Sequence, residues 1–309
     1  MTKPVVCIGG AFVDELYYVN EPILPATTNM ASVLQKAGGV SRNLAHQLAL
    51  LDVPVELISV FGDDSAGNWL KNSCSSAGIR LSSSLFADAG STGKYTGIIN
   101  HDGSLYTALL ANSSDHLLTP DYLEKQTDLL GSACYLLADT NLSVQSLQWL
   151  VDFSNRSGVP LIIEPVSVPP AKKLLQVTLK GVFLLTPNED ELPVLCSADA
   201  VTTEQQIQEL TDQGIQAIWL HKGAEGSVLY TNDNATQLHT LAVDIIDCTG
   251  AGDGALSGFV LGKYLGYSDE GCLKLAHTLA GEILRVEGAI ATHLTREKLI
   301  EKAQEYYSL

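Results

Sequence analysis

Short apolar runs alternate with amphipathic helical patterns along most of the chain. Runs rich in Val, Ile and Leu predict buried strands, and the segments between them repeat apolar residues at helical spacing. This alternation predicts a mostly parallel central sheet covered by helices on both faces. The predicted strands are 5–8, 55–60, 133–138, 160–163, 182–185 and 217–220, and the predicted helices are 41–51, 68–77, 144–155, 171–177 and 203–213.

Two pairs of predicted strands break this rhythm because no helix separates their members. The runs 15–19 and 31–35 form one pair, and the runs 94–100 and 104–110, joined by a hairpin-type turn, form the other. We expect a small antiparallel β lid built from two inserted segments, about 12–36 and 92–111, within a single domain 1–309. The rest of the chain after Gly254 is mainly helical, to about 287 and again from about 296.

Composition and charge narrow the class of protein. The 309 residues include 18 Lys and Arg against 35 Asp and Glu, a net charge of −17, and 46% are hydrophobic. Such acidity disfavours nucleic-acid polymers and anionic membranes, because Lys and Arg neutralise their phosphates. No apolar run suits a signal peptide or a membrane span, and the six cysteines lack metal-ligand spacing. We therefore expect a cytoplasmic protein with reduced thiols.

The most informative segment is 243–265, where a strand-like run leads through small residues into a helical pattern. The backbone N–H groups of Gly250, Ala251 and Gly252 would point at one spot, where the helix N-terminus adds partial positive charge, so we predict an anion hole. Asp253 at its edge has two open interpretations: a general base, or the N-cap of the helix. A dinucleotide fingerprint is disfavoured because no strand follows this helix.

A second glycine-rich turn lies earlier in the chain. Gly38 and Gly39 open the helix that carries Asn43. The turn is either an ordinary helix entry or a place where a polar ligand approaches the backbone closely. In the second case the Asn43 amide would bond to ligand hydroxyls, and Asp14, just beyond the first strand, would accept from a diol.

Two further turns follow predicted strands. The acidic segment 186–191 is either a helix-start cap or the source of a carboxylate that acts on Mg²⁺ through water. The turn 221–226, with Gly223 and Gly226, is either a phosphate cradle or a simple hairpin turn.

In this order, these segments resemble the ribokinase-like, or PfkB, carbohydrate kinases, and the resemblance covers nearly all of the chain. The family implies a three-layer α/β fold with a β lid, and the use of ATP and Mg²⁺. The segments that carry the resemblance are Gly38-Gly39-Val40 with Asn43-Leu44-Ala45, Gly62-Asp63-Asp64 with Gly67, Asn188 with Glu191, and 247–253.

The resemblance implies a role for each matching residue. Asp253 would be the catalytic base, and Gly250, Ala251 and Gly252 the anion hole. Glu191 would organise hydrated Mg²⁺, and Asp247 would help to hold a monovalent cation, K⁺. The predicted substrate contacts are Phe12, Asp14, Gly38, Gly39, Arg42, Asn43, Lys94, Asp139 and Asn141. The predicted nucleotide contacts are Asn188, His221, Lys222, Gly223, Gly226, Thr249 and His277.

Within the family, the segments 38–51, 138–143 and 164–167 are most similar to the pseudouridine kinases, although Ala111-Asn112 departs from their pattern. Phe12 stands where many sugar kinases of the family place an Asn, and a ring there suits a nucleobase. We expect ATP-dependent phosphorylation of a primary sugar hydroxyl, with the 5′-OH of pseudouridine as the first choice.

Several alternatives remain open. Another activity of the family, such as that of a ribokinase, fructokinase or purine-nucleoside kinase, would use the same segments. A catalytically inactive sugar or nucleotide sensor is the alternative from a different class. The apolar run 95–99 of the lid suits either a homodimer contact or closure over the substrate in a monomer.

Overall fold

Strands and helices alternate through most of the computed structural model, which describes residues 3–88, 90–307 and 309. The strands are β1 Val5–Ile8, β2 Phe12–Val19, β3 Ala31–Gly38, β4 Val55–Ile58, β5 Val60–Gly62, β6 Leu85–Ala87, β7 Gly93–Ile99, β8 Leu105–Ala111, β9 Tyr135–Asp139, β10 Leu161–Glu164, β11 Leu184–Leu185, β12 Ala217–His221, β13 Ser227–Thr231 and β14 Ala235–Leu238. The α-helices are α1 Val40–Leu50, α2 Ser65–Ser76, α3 Ser114–Leu117, α4 Pro120–Glu124, α5 Thr127–Ser132, α6 Val144–Ser157, α7 Val168–Ala171, α8 Thr203–Asp212, α9 Ala251–Leu265, α10 Asp269–Leu284 and α11 Arg296–Tyr307.

The central sheet has eight strands in the order β14-β13-β12-β11-β10-β9-β1-β4. The six strands from β12 to β4 run parallel, and β13 and β14 add an antiparallel edge. The predicted mostly parallel α/β sheet is therefore confirmed. Its parallel strands place all their carboxyl ends along one edge, where open α/β sheets bind ligands.

The sheet separates two hydrophobic clusters, which makes the fold three-layered. Alternate residues of β1 point to opposite faces, so Val5 and Cys7 join one cluster while Val6 and Ile8 join the other. The first cluster includes buried side chains of α1, α9 and α10, and the second includes side chains of α6 and α8. Helices thus cover both faces, as the alternation predicts. No helix in the described residues is long and apolar enough to cross a membrane.

The lid is a separate four-stranded sheet in the order β3-β2-β7-β8. Its two outer pairs are antiparallel, and the parallel pairing of β2 with β7 joins them into one surface. In this register Asp14 lies beside Lys36 on one neighbouring strand and Tyr95 on the other. Because these three residues share one face of the pleat, the lid brings them together.

Three predicted elements differ from the structure. The strand-like run at the start of the segment 243–265 is not a strand, because the described residues between β14 and α9 form neither strand nor helix. The predicted strand 55–60 is divided at Ser59, whose hydroxyl donates to the carbonyl of Gly9, and β5 then pairs with β6 instead of continuing in the central sheet. The predicted helix 171–177 is a single α-turn followed by a 3-10 turn at Lys172–Gln176.

Gly39 makes a tight connection at the start of α1. We predict that substituting it lowers the free energy of unfolding by more than substituting a glycine that has a positive φ but open surroundings. Its φ is +94, and a Cβ there would overlap the carbonyl of Gly10, whereas Gly78 has φ +81 and open space around it. We expect Gly39→Ala to lower the free energy of unfolding by about 3 kcal/mol, and the control Gly78→Ala by about 1 kcal/mol. Urea denaturation of both variants measures the difference, and equal losses would contradict this packing.

Candidate active site

Five neighbouring parallel strands deliver polar groups to one edge of the sheet. Asp139 ends β9, Glu164 ends β10 and His221 ends β12, while Asn188 follows β11 and bridges to His221. The loop after β1, at Gly10, completes the row. The strand order therefore collects at one edge residues that lie far apart in the sequence.

Asp253 lies where the N-termini of α9 and α1 meet. Gly250, with φ 75, is the N-cap residue of α9, so Asp253 is the third helical residue and not the cap. Its carboxylate accepts a hydrogen bond of 2.7 Å from Asn43 Nδ2 at the start of α1. The N-cap interpretation of Asp253 is therefore wrong, and the general base stays a prediction.

The surroundings of Asp253 make it a weaker acid than a free aspartate. Burial raises the pKa of Asp253 to about 7, and the nearby carboxylates of Asp139 and Asp14 act in the same direction. The hydrogen bond from Asn43 and the charge of Arg42 oppose the shift. A carboxyl group that titrates near neutral pH suits proton transfer at that pH.

The predicted anion hole forms the first turn of α9. Gly250 packs against Ala289 so closely that a side chain at 250 would overlap it, whereas Gly252 has open space around it. The N–H groups of this turn point out of the helix end, where the helix dipole adds partial positive charge. Ala251 and Gly252 also line the nucleotide-sized cavity described below, so the residues of the predicted anion hole border it.

Asp14 and the glycine pair lie on the lid side of the same cleft. Gly38 faces the Asp14 carboxylate, and no side chain at 38 would fit there. Burial raises the pKa of Asp14 to about 6, against the opposing charges of Arg42 and Lys36. Asp14, Gly39, Asn43 and Asp253 thus surround one space between the lid and the helix ends.

Asp139 connects the backbone segments that lie next to Asp14, Asn43 and Asp253. It is fully buried, and its carboxylate accepts hydrogen bonds from Gly10 N, from Ser41 N and Oγ, and from Asn141 N at 2.7–3.0 Å. These bonds tie the loop after β1 and the start of α1 to the end of β9. The role visible for Asp139 is structural, and its direct contact with a substrate stays a prediction.

Phe12 and Asn141 lie deep on the same side. Phe12 is 5% exposed and its ring packs over the glycines Gly10 and Gly93, so most of the ring is enclosed by protein. Asn141 is also buried, and its Nδ2 has no hydrogen-bond partner among the residues that the structure describes. Their predicted contacts with a substrate stay predictions.

Lys94 is the predicted substrate contact that the structure does not bring to the cleft. It pairs in register with Val13, one position from the pair formed by Asp14 and Tyr95, so its side chain lies on the opposite face of the lid. There its ammonium pairs with Glu15 at 3.3 Å. The residue of β7 that faces the cleft is Tyr95, which sequence analysis placed only in an apolar run.

Most of the predicted nucleotide contacts meet in one cavity of about 500 Å³. The side chains around it are mainly apolar, from the segment 240–248 and from α10. Lys222 lies beside this cavity without lining it, because its ammonium pairs with Glu225 at 3.2 Å. The predicted nucleotide contacts that line it are His221, Gly223, Gly226 and His277, and Ala251 and Gly252 of the predicted anion hole line it as well.

Both histidines of the cavity are neutral. Burial, with the neighbouring His277, lowers the pKa of His221 to about 3, and burial lowers the pKa of His277 to about 4. His277 Nε2 contacts Ser227 Oγ at 2.7 Å, and this hydroxyl also accepts from Trp219 Nε1 at 2.8 Å. The cavity therefore presents uncharged rings, which suit a flat uncharged ligand face.

Asn188 and Glu191 form a closed local arrangement. Asn188 Oδ1 accepts from the N–H groups of Asp190 and Glu191, and the Glu191 carboxylate accepts from Asn188 N at 3.0 Å. Burial raises the pKa of Glu191, and it raises that of the neighbouring Glu164 well above its usual value. The described residues contain no group of three or more His, Cys, Asp or Glu placed to ligate a metal ion.

Asp247 connects the loop before α9 to the loop after α10. Its Oδ1 accepts from Thr249 N and Oγ1, and its Oδ2 accepts from Gly288 N at 2.9 Å. Burial alone would raise the pKa of Asp247, but these hydrogen bonds and Lys36 lower it overall. The backbone groups predicted around a monovalent cation are thus adjacent.

Sequence analysis did not recognise Lys36 as part of the site. Its ammonium pairs with Glu287 at 3.0 Å and lies against Gly288, so this lid residue contacts the loop after α10. The two partners are 251 residues apart, and no local motif signals the contact. The one available signal was the strand alternation, which puts Lys36 level with Asp14.

Comparison with known proteins identifies the family of this chain. The model of the pfkB family of carbohydrate kinases matches residues 2–296. An uncharacterised sugar kinase of Escherichia coli, YeiI, is 33% identical over 82% of this chain and 70% of its own length. The pseudouridine kinase of the same organism is 28% identical over 82% of each chain.

Solved structures share the fold. The ribokinase of Arabidopsis thaliana, in complex with ribose and ATP, aligns with a TM-score of 0.88 at 22% identity over 98% of this chain and 99% of that one. A ribokinase of Thermotoga maritima aligns with a TM-score of 0.84 at 18% identity, over 98% of this chain and 99% of that one. The chain belongs to the pfkB family of carbohydrate kinases, which are phosphotransferases with an alcohol group as acceptor.

We predict that the frame around Asp139 is costly to disturb. Asp139→Asn replaces an acceptor oxygen by an N–H donor that would face buried donors, so the free energy of unfolding should fall by about 2–4 kcal/mol. The control Asp102→Asn changes an exposed carboxylate that accepts from Ser104 in a surface turn, and should leave stability close to that of the unaltered protein. Urea denaturation measures both, and similar stabilities of the two variants would disprove the structural role.

Proposed function

We propose that the protein transfers the γ-phosphoryl group of ATP to a primary sugar hydroxyl, and that its acceptor is the 5′-OH of pseudouridine. The observation that carries the transfer is the position of Asp253 in the first turn of α9, where its carboxylate accepts a hydrogen bond of 2.7 Å from Asn43. A base next to an anion-binding helix end is the arrangement that phosphoryl transfer to a hydroxyl requires.

The proposed reaction uses groups of this chain at each point. Asp253 takes the proton of the acceptor hydroxyl, and the hydroxyl oxygen forms a bond to the γ-phosphorus of ATP. The bond between that phosphorus and the oxygen that bridges it to the β-phosphorus breaks, and ADP leaves. The N–H groups of the first turn of α9 stabilise the charge on the transferring group. Asp14 and Asn43 hold the sugar hydroxyls, and the lid limits access of water.

A divalent cation would reduce the repulsion among the carboxylates near the end of β10. The negative charges of Glu191 and Asp253 add to burial in raising the pKa of Glu164, so a cation here would offset mutual repulsion. Glu191 would hold Mg²⁺ through water, and Asn188 beside it would hold phosphate. When bound, Mg²⁺ neutralises phosphate charge. K⁺ would bind to the backbone near Asp247 and Gly288.

The lid supports a substrate with an aromatic group beyond the sugar. On its inner face, Tyr95 lies beside Asp14, and Leu16 follows in the next row against Gly97. A free sugar would leave this apolar surface unused, whereas a base attached to C1 could pack on it. The similarity to the pseudouridine kinase of Escherichia coli favours pseudouridine among such substrates.

The lid also supports a homodimer. Its large hydrophobic side chains are unusually exposed: Met30 is 82%, Leu109 68%, Val33 59% and Tyr106 55% exposed. Monomeric proteins seldom leave such surface uncovered. We propose that a second copy of the chain covers it, which analytical ultracentrifugation would detect as a sedimentation coefficient above that of a 33.0 kDa monomer.

A panel of acceptors tests the substrate assignment. ADP release is measured with pseudouridine, uridine, inosine, guanosine, ribose and fructose, each with Mg²⁺ and ATP. We expect the highest kcat/KM with pseudouridine. Preference for ribose would reassign the protein as a ribokinase, and preference for inosine or guanosine as a purine-nucleoside kinase. Binding without any phosphorylated product would identify a sensor.

We predict that Asp253→Asn keeps nucleotide binding but lowers kcat by roughly 10²–10⁴, because the amide cannot accept the hydroxyl proton. Calorimetric titration with ATP checks the binding, and initial rates at saturating acceptor check kcat. The exposed carboxylate Asp269, at the other end of the same helical pair, provides the control Asp269→Asn, which should turn over normally. Near-normal kcat in Asp253→Asn would exclude the base.

Activity should also fall on the acid side of neutrality. Because the pKa of Asp253 is raised to about 7, its base form is lost below that pH, and kcat/KM should fall about tenfold per pH unit. Below about 6 the protonation of Asp14 should steepen the decline to about a hundredfold per unit. Asp14→Asn should keep the first limb and lose the second. A profile that stays level through pH 6 would contradict the assignment of Asp253, and one that does not steepen below pH 6 would contradict that of Asp14.

A further inference from the structure

Arg42 is a buried cation whose partners all belong to the protein. It is 3% exposed, and its Nη2 donates to the carbonyl of Ala37 and, at 2.6 Å, to Asn43 Oδ1. Its Nη1 bonds to His46 Nδ1 at 3.0 Å. Burial and Arg42 itself lower the pKa of His46 to about 4, so this imidazole is a neutral acceptor. These bonds fix the guanidinium within the fold, and its predicted contact with a substrate stays a prediction.

The two ends of the Asn43 amide face opposite charges. Its Oδ1 accepts from the Arg42 guanidinium, and its Nδ2 donates to the Asp253 carboxylate. In the reversed orientation, the amide N–H groups would face a group that only donates, and the amide oxygen would face a group that only accepts. Both hydrogen bonds would be lost together, each to a charged partner, so the guanidinium selects one orientation.

We infer that Arg42 is a positioning residue: it fixes the Asn43 side chain in the one orientation that donates a hydrogen bond to Asp253. The inference rests on the proposed function only where it takes Asp253 as the base. Its consequence is that the base stays available, because a donor favours the ionised form of a carboxylate.

The stabilisation of ionised Asp253 by Arg42 and Asn43 matters because the other charged groups around Asp253 oppose its ionisation. Asp14 approaches from β2, Asp139 from β9 and Glu164 from β10, and all three are acids. Arg42 is the cation that acts on Asp253 from α1, both directly and through Asn43. The two routes can be separated, because only the second requires the Asn43 side chain.

The test measures the titration of Asp253 without any substrate. Protein labelled with ¹³C at aspartate carboxyl groups is titrated by NMR, and the Asp253 signal is assigned by its loss in Asp253→Asn. We expect Asn43→Ala to move the midpoint upward by about one pH unit, and Arg42→Met to move it in the same direction. In the Asn43→Ala background, Arg42→Met should produce less than half of its own shift.

Two further variants address folding and charge. Gln47→Leu alters an equally buried residue of α1, which bonds to Ala291 and not to Asn43, and should leave the midpoint unchanged. Arg42→Lys keeps the positive charge but lacks the planar fork, so it should also raise the midpoint. If Arg42→Met does not fold, Arg42→Lys takes its place in the comparison with and without the Asn43 side chain.

The outcomes are distinct from those of the proposed function. A shift of equal size with and without the Asn43 side chain, or no shift in either Arg42 variant, would overturn the inference. A shifted titration in a protein that phosphorylates no acceptor would leave the positioning role intact and remove the proposed function. If the protein phosphorylates an acceptor but the Asp253 midpoint does not move in the Arg42 variants, the proposed function stands and the positioning role is wrong.

Discussion

The hydrogen bond between Asn43 and Asp253 is the contact on which the site depends. It joins two helix N-termini whose residues are 210 positions apart in the sequence. One helix follows the lid strand β3 through Gly39, and the other begins at Gly250 beside the nucleotide-sized cavity. The space beside the lid and the cavity beside α9 adjoin at this contact, and the proposed transfer needs both, because a hydroxyl must be held against a phosphoryl group.

The acidity of the chain affects the charges that surround this hydrogen bond. A net charge of −17 leaves few cations, and the cleft gathers several acids around Asp253. Backbone N–H groups at a helix end can bind an anion without any basic side chain. The cations that the fold does bring here, Arg42 and Lys36, are each tied to protein groups, so they act mainly on the acids and the loops.

Sequence analysis predicted the parts of this account that are local. The strands of the sheet, the lid and the helix after Gly250 follow from periodicity and from glycine-rich turns, and the order of motifs indicated the family. Contacts between distant segments could not be predicted in this way. The choice between Lys94 and Tyr95 depends on a strand register set by β2, and the pairing of Lys36 with Glu287 depends on how the lid docks. The closed arrangement of Arg42 likewise appears only when β3 and α1 are folded together.

The most direct measurement is ³¹P NMR of the protein incubated with pseudouridine, ATP and Mg²⁺. The account predicts that the γ-phosphorus signal of ATP declines while one phosphomonoester signal grows, split by coupling to the two protons on C5′. Decline of the γ signal into inorganic phosphate alone, or no loss of ATP with any nucleoside or sugar, would contradict the claim that this cleft joins a sugar hydroxyl to a transferring phosphoryl group.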